Sequence, residues 1–211
     1  MPYLVKGSHK RAGRDNHSAF LRDPKARGPI SAALTVGDVL SDELRKLLPT
    51  VVEVEMHSPK AELTQMMTNG GDSEWFVHQV IKDWLEENEP GVHEFVPLKV
   101  RDAPTGEIIR DDYYLVLITE RIKCLDEEKI TWIIPKDRGT GLERAQRSKY
   151  RADYDGKHKL YLHADLIEGR HLWRGMPDLA REMVFCSDEL AAFVKAEGLR
   201  GWKLIKCVAA A

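Results

Sequence analysis

Long apolar runs are missing from this sequence. The longest, YYLVLI at Tyr113 to Ile118, is strand-sized, whereas a membrane-crossing helix needs roughly 20 apolar residues in a row. No membrane association is expected. The opening MPYLVKGSHKRAGRDNHS also lacks the apolar segment of about 7 to 15 residues that a secretory signal requires, so the chain is read as cytoplasmic. Cysteine is scarce: Cys124, Cys186 and Cys207 are odd in number, far apart and form no C-x-x-C. That excludes a disulfide framework and a zinc knuckle and leaves buried, reduced thiols. Charge of one sign is absent too. With 32 basic and 34 acidic residues, a formal net charge of -2, the molecule as a whole has no pull toward nucleic acid.

Catalytic and cofactor signatures are equally sparse. The eight histidines make no H-x-x-x-H or H-E-x-x-H, and His158 and His163, five apart in a strand-like run, fall on opposite faces. No metal and no cofactor is expected. The stretch RGTGLERAQRSKYR has glycines and basic residues but no phosphate-loop or dinucleotide fingerprint, so it reads as a surface loop. Asp111-Asp112 and Asp126-Glu127-Glu128 have no histidine at a defined spacing and read as turn or helix-start acids. No serine lies in G-x-S-x-G. These residues build no active site, and the chain is not read as an enzyme.

What is present is a globular composition, with 43% hydrophobic and 31% charged residues, and a set of capped helices and alternating strands. SDEL occurs twice, at Ser41 to Leu44 and at Ser187 to Leu190. Each serine can cap a first helical turn, and each acid pair suits the positive end of the helix dipole. Leu44, Leu47 and Leu48 follow Ser41 at the spacing with which Leu190, Phe193 and Val194 follow Ser187. Pro49 stops the first helix and Gly198 the second; strands VVEVEM and WKLIKCV come next. Nothing else repeats between the halves, which favours convergence on good capping over duplication.

A longer helix is expected over SEWFVHQVIKDWLEEN, where Phe76, Val77, Val80, Ile81, Trp84 and Leu85 recur at helical spacing and Ser73 can cap the start. Phe95 to Arg101 and the run through YYLVLIT flank the turn DAPTG as antiparallel neighbours, and KITWII and HKLYLH add strands. Without regular β-α alternation, the expected class is α+β, mostly antiparallel sheet with several packed helices and no doubly wound pattern. A composition break near Gly91 divides the chain into an N-terminal basic arm and helical lobe (1–91) and an α+β region (92–211) that pack as one unit.

Two basic segments stand out. Lys6, Lys10, Arg11, Arg14, Arg22, Lys25 and Arg27 face only Asp15 and Asp23, and Lys136, Arg138, Arg144, Arg147, Lys149 and Arg151 face only Asp137 and Glu143. Each reads as a solvated arm or loop. The functional alternative is a contact to phosphate, which would make the chain a nucleic-acid-associated module, although few aromatics interleave the charges.

From about residue 93 to 208 the order HEFVPLKV, DDYYLVLITERIKCLDEEK, LIEGRHLWRG, MVFCSDELAAFVKAEGLRGWKLIKC resembles the Myxococcus-type immunity protein domain of bacterial polymorphic toxin systems, a former domain of unknown function. The matching positions are Tyr113 and Tyr114, Leu125 and Asp126, Gly169, Trp173 and Arg174, Ser187 to Leu190, Gly198 and Gly201. The resemblance implies a protein that binds and neutralises a cognate toxin, often a nuclease, by steric and electrostatic blocking. It implies no enzyme activity and no cofactor. Acidic residues would meet the toxin's phosphate-binding surface, and Asp83, Glu86, Glu87, Glu89 and Glu94 are the partner-binding candidates. A solvated helix face and turn is the structural alternative for these five.

Overall fold

A computed structural model describes residues 1–7, 41–46, 48, 50–56, 63–68, 75–102, 104–129, 132–133, 151–152, 159–175 and 183–210. In chain order these form β1 (Tyr3–Gly7), α1 (Asp42–Lys46), β2 (Val52–Met56), β3 (Met66–Thr68), β4 (Trp75–His78), α2 (Gln79–Asn88), β5 (Glu94–Asp102) and β6 (Ile108–Leu117). There follow β7 (Arg121–Ile122), β8 (Trp132–Ile133), β9 (Arg151–Ala152), β10 (Tyr161–His163), β11 (Leu172–Gly175), β12 (Val184–Cys186), α3 (Asp188–Ala196), β13 (Trp202–Lys206) and β14 (Val208–Ala210). Two five-stranded sheets dominate, one ordered β2-β5-β6-β4-β3 and the other β13-β1-β12-β11-β7.

The period-2 alternation of strand side chains divides the apolar residues into layers. On β6, Tyr113, Leu115 and Leu117 join Val52, Phe76, Leu98 and Val100 in one buried cluster, while Val116 faces the other way. On the second sheet Leu4, Trp173 and Phe185 point into an outer cluster with Cys124, Leu125, Leu160, Leu162 and Cys207. Their neighbours Val5, Leu172, Val184 and Cys186 turn inward. Those inward residues meet Trp75, Val77 and Val116 of the first sheet, and Ile81 and Leu85 of α2 with Leu190, Ala191 and Val194 of α3 complete the central cluster. Each large apolar side chain fully buried there contributes roughly 1.5 to 3 kcal/mol.

The two sheets meet closely at β3. The Met66 amide donates to the Arg200 carbonyl at 3.2 Å, and the Arg200 amide donates to Gln65 Oε1 at 2.9 Å. Gly201, at φ +96°, turns the chain there; a Cβ would overlap the Met66 carbonyl oxygen and approach Thr64 Oγ1 to 2.7 Å. Both the backbone conformation and the space require glycine.

The α+β expectation of a mostly antiparallel sheet with several packed helices is overturned. Helix is confined, among the described residues, to elements of five, ten and nine residues, and the fold is sheet-rich. The sheets are mixed: β2 runs parallel to β5, β7 to β11, and β10 to β14. The antiparallel pair expected around DAPTG is present as β5 and β6.

The excess of expected helix came partly from SEWFVHQV. Its Trp75 to His78 form β4, with Trp75 and Val77 in the central cluster and Phe76 in the other, so an aromatic and β-branched run buried on both faces imitated helical spacing. Ser73 lies outside the described residues; His78 is the N-cap instead. The start of the presumed basic arm differs as well. β1 lies between β12 and β13, with Leu4 and Val5 buried.

Candidate partner-binding surface

Helix α2 carries most of the candidate acids and is fixed at both ends by charged side chains. At its N-terminus His78 Nδ1 accepts the Val80 amide hydrogen at 3.3 Å, which assigns the ring proton to Nε2. Nε2 donates to Asp112 Oδ2 at 2.9 Å. Arg110 holds the same carboxylate, with Nε donating to Oδ1 at 2.8 Å and a second guanidinium nitrogen to Oδ2, that nitrogen lying 3.1 Å from His78 Nε2. That hydrogen bond from Arg110 keeps the Asp112 carboxyl below its ordinary range. Register shifts between β5 and β6 beside this point bring Arg110, Asp112 and Tyr113 together; a strand irregularity re-aims side chains in this way.

At the C-terminus of α2 the anchor is internal. Glu89 is 5% exposed and His93 7%. Glu89 Oε1 accepts from the His171 amide at 2.7 Å, and Oε2 from the Leu172 amide at 3.1 Å and from His93 Nε2 at 3.1 Å. Burial pushes the Glu89 carboxyl up, but the hydrogen bonds from His93 and the His171 amide, with the charges of both histidines, outweigh it and hold the group below its ordinary value. His171 passes the connection on. Its ring meets Trp84 edge to face at 5.1 Å, and its Nδ1 lies 2.9 Å from Ser187 Oγ, the N-cap of α3.

Of the five candidate acids, the structure brings Asp83, Glu86 and Glu87 to the exposed side of α2. Glu86 is paired with Lys82, whose ammonium lies 5.2 Å from the Tyr114 ring centroid and 5.7 Å from that of Phe95. Asp83 accepts from Gln79 and lies 3.9 Å from Lys82 Nζ. Glu94 is half-buried and bonded to Arg45 at 2.7 Å. Glu89 faces inward and belongs to the anchor. Sequence reasoning missed this, although an acid placed after a helix stop and four residues before a histidine was the available signal.

The other readings fall out as follows. Asp126 receives the Glu128 and Lys129 amides and pairs with Lys129 Nζ at 2.8 Å, as a turn acid does. The three cysteines are free and buried; burial pushes the Cys124 thiol up to about 11 and that of Cys207 to about 12, which keeps both as thiols. Among the described residues no group of three or more His, Cys, Asp or Glu side chains is placed to hold a metal ion. No helix there is long and apolar enough to cross a membrane. Of the two basic segments only Lys6 and the backbone of Arg151 are described; the other basic residues lie outside the described residues.

The chain belongs to the immunity protein family Imm11, whose model matches residues 18–209. The match extends well beyond the 93–208 segment that carries the resemblance and includes α1, α2 and the first sheet. No curated protein matches the chain.

Proposed function

We propose that this protein protects the cell that makes it by binding a cognate toxin of a polymorphic toxin system and covering the toxin's working surface. A nuclease acting in the cytoplasm is the target that fits best, because its phosphate-binding surface is basic and would meet exposed acids of α2 such as Asp83 and Glu87. The observation that carries this reading is the exposed acidic side of α2 in a chain of the immunity family. Blocking is steric and electrostatic over an interface of about 1,200 to 2,000 Å² and uses no chemistry of the protein's own. The parts 1–91 and 92–211 act as one unit, a reading supported by β1 between β12 and β13 and by β4 beside β6.

The test is co-expression with the product of the adjacent toxin gene. Growth should be restored, and the two proteins should co-elute, with an association rate that falls as salt is raised. Continued killing without a complex would overturn the proposal.

A further inference from the structure

The five candidate carboxylates are not equivalent. Glu86 is paired with Lys82, whose ammonium lies over the Phe95 and Tyr114 rings, Asp83 is bonded to Gln79, Glu94 is held by Arg45, and Glu89 is internal. Glu87 is exposed and has no ion-pair partner among the described residues. It stands three residues after Trp84 and therefore shares a flank with it, the flank turned toward α3. On α3 Glu189, whose side chain is 67% exposed, precedes Phe193 by four residues and shares its face, with its Oε2 3.5 Å from His171 Nδ1. The two aromatics stack, with ring centroids 5.5 Å apart and planes at 24°, and His171 meets the edge of the pair. Trp84, Phe193 and His171 are all half-buried.

From this geometry we infer that the docking surface is centred on the α2–α3 junction: Trp84 and Phe193 form its apolar anchor, Glu87 and Glu189 its charged rim, and the occupant is an arginine-bearing basic surface of the toxin. This rests on the toxin-binding reading above and locates its centre. A guanidinium suits the site because it stacks on aromatic faces and forks onto a carboxylate, which an ammonium does less well. Aromatic anchors inside a polar rim are also the arrangement in which a few residues carry most of the binding energy. The Lys82–Glu86 flank, already neutralised, contributes little.

The experiment is a calorimetric titration of the full chain and its variants against the purified toxin domain encoded beside it, with growth rescue in parallel. Both rim residues are exposed, so the double variant Glu87→Lys with Glu189→Lys should remain folded, with only a small drop in melting temperature from the reversed first-turn charge of α3, and lose affinity about 100-fold, whereas Glu86→Lys should stay within about threefold. Phe193→Leu, which keeps apolar bulk but removes the stack, should lose about tenfold. Wild-type affinity in the rim double variant, together with loss in Glu86→Lys, would move docking to the other flank and overturn the inference while leaving toxin binding intact. Self-association of the wild-type chain that the rim variant abolishes, with toxin affinity unchanged, would assign the junction to a second copy and overturn it too. Failure of the wild-type chain to bind or rescue would remove the toxin-binding reading itself.

Discussion

The two SDEL segments begin with the same four residues and end as different structures. At Ser41 the helix lasts five residues; Asp42, Glu43 and Lys46 are exposed, and Arg45 reaches out to Asp42 and to Glu94 of β5. At Ser187 it lasts nine residues, with Leu190, Ala191 and Val194 in the central cluster and the cap itself 8% exposed. Capping chemistry opens a helix but does not extend it. Isolated helices this short are marginal in water, and burial of an apolar face decides how many turns survive. The second copy also ends on Gly198 at φ +61°, whose left-handed conformation closes the last turn.

The largest expected effect lies in the buried face of α3. Leu190 is fully buried, so Leu190→Ala should cost about 2 to 5 kcal/mol in denaturant unfolding, as a large-to-small core change does. Arg45→Ala removes only partly exposed ion pairs of α1 and should cost at most about 1 kcal/mol. Comparable losses would mean that α1 is as firmly built into the core as α3.

A smaller effect should come from Glu89, which sharpens the comparison because it supports only one of the two caps. Its carboxylate fixes the amides of His171 and Leu172, and His171 lies against the Ser187 hydroxyl. Glu89→Gln should cost about 1.5 to 3 kcal/mol, the range for hydrogen bonds to a charged group. Amide hydrogen exchange should quicken at Leu190 and stay unchanged at Arg45. The sign with pH follows from the depressed folded value of Glu89. Its contribution is present in full above the unfolded value of about 4.3 and is lost as pH falls toward the folded value, so the wild-type advantage over Gln should shrink below about pH 4. An advantage that stayed constant to lower pH would show that the carboxylate is not the group responsible.

Local chemistry in these sequences was legible; long-range partnership was not. The Ser187 cap, the Gly198 stop, β2, the β5 and β6 pair and β13 follow from capping residues and alternation. β4 was hidden because WFV buries both faces, which leaves no period-2 pattern to distinguish strand from helix. β1 looks like part of a basic arm in the sequence because its partners, β12 and β13, lie at the other end of the chain. At the candidate surface, composition identified acids on α2 but could not separate the internal Glu89 from the exposed Glu87. The Glu89–His93 spacing was the one local hint; the rest of the distinction depends on where β11 passes, which lies more than 80 residues away in sequence.

The smallest effects belong to the caps themselves, and they isolate the shared chemistry from its surroundings. Ser187 Oγ accepts the Leu190 amide hydrogen at 3.1 Å where water is largely excluded, so Ser187→Ala leaves a buried donor without its acceptor and should cost about 1 kcal/mol, the typical loss for a cap. At exposed Ser41 water can replace a lost acceptor, and Ser41→Ala should cost only a few tenths, about 0.5 kcal/mol at most. Paired thermal and denaturant unfolding of the two variants measures the difference directly. Equal costs would mean that cap strength is set by the four residues alone. A larger cost at Ser187, with toxin binding preserved once the protein is folded, would assign that hydroxyl to holding α3 in place, one turn away from the face that Glu189 and Phe193 present.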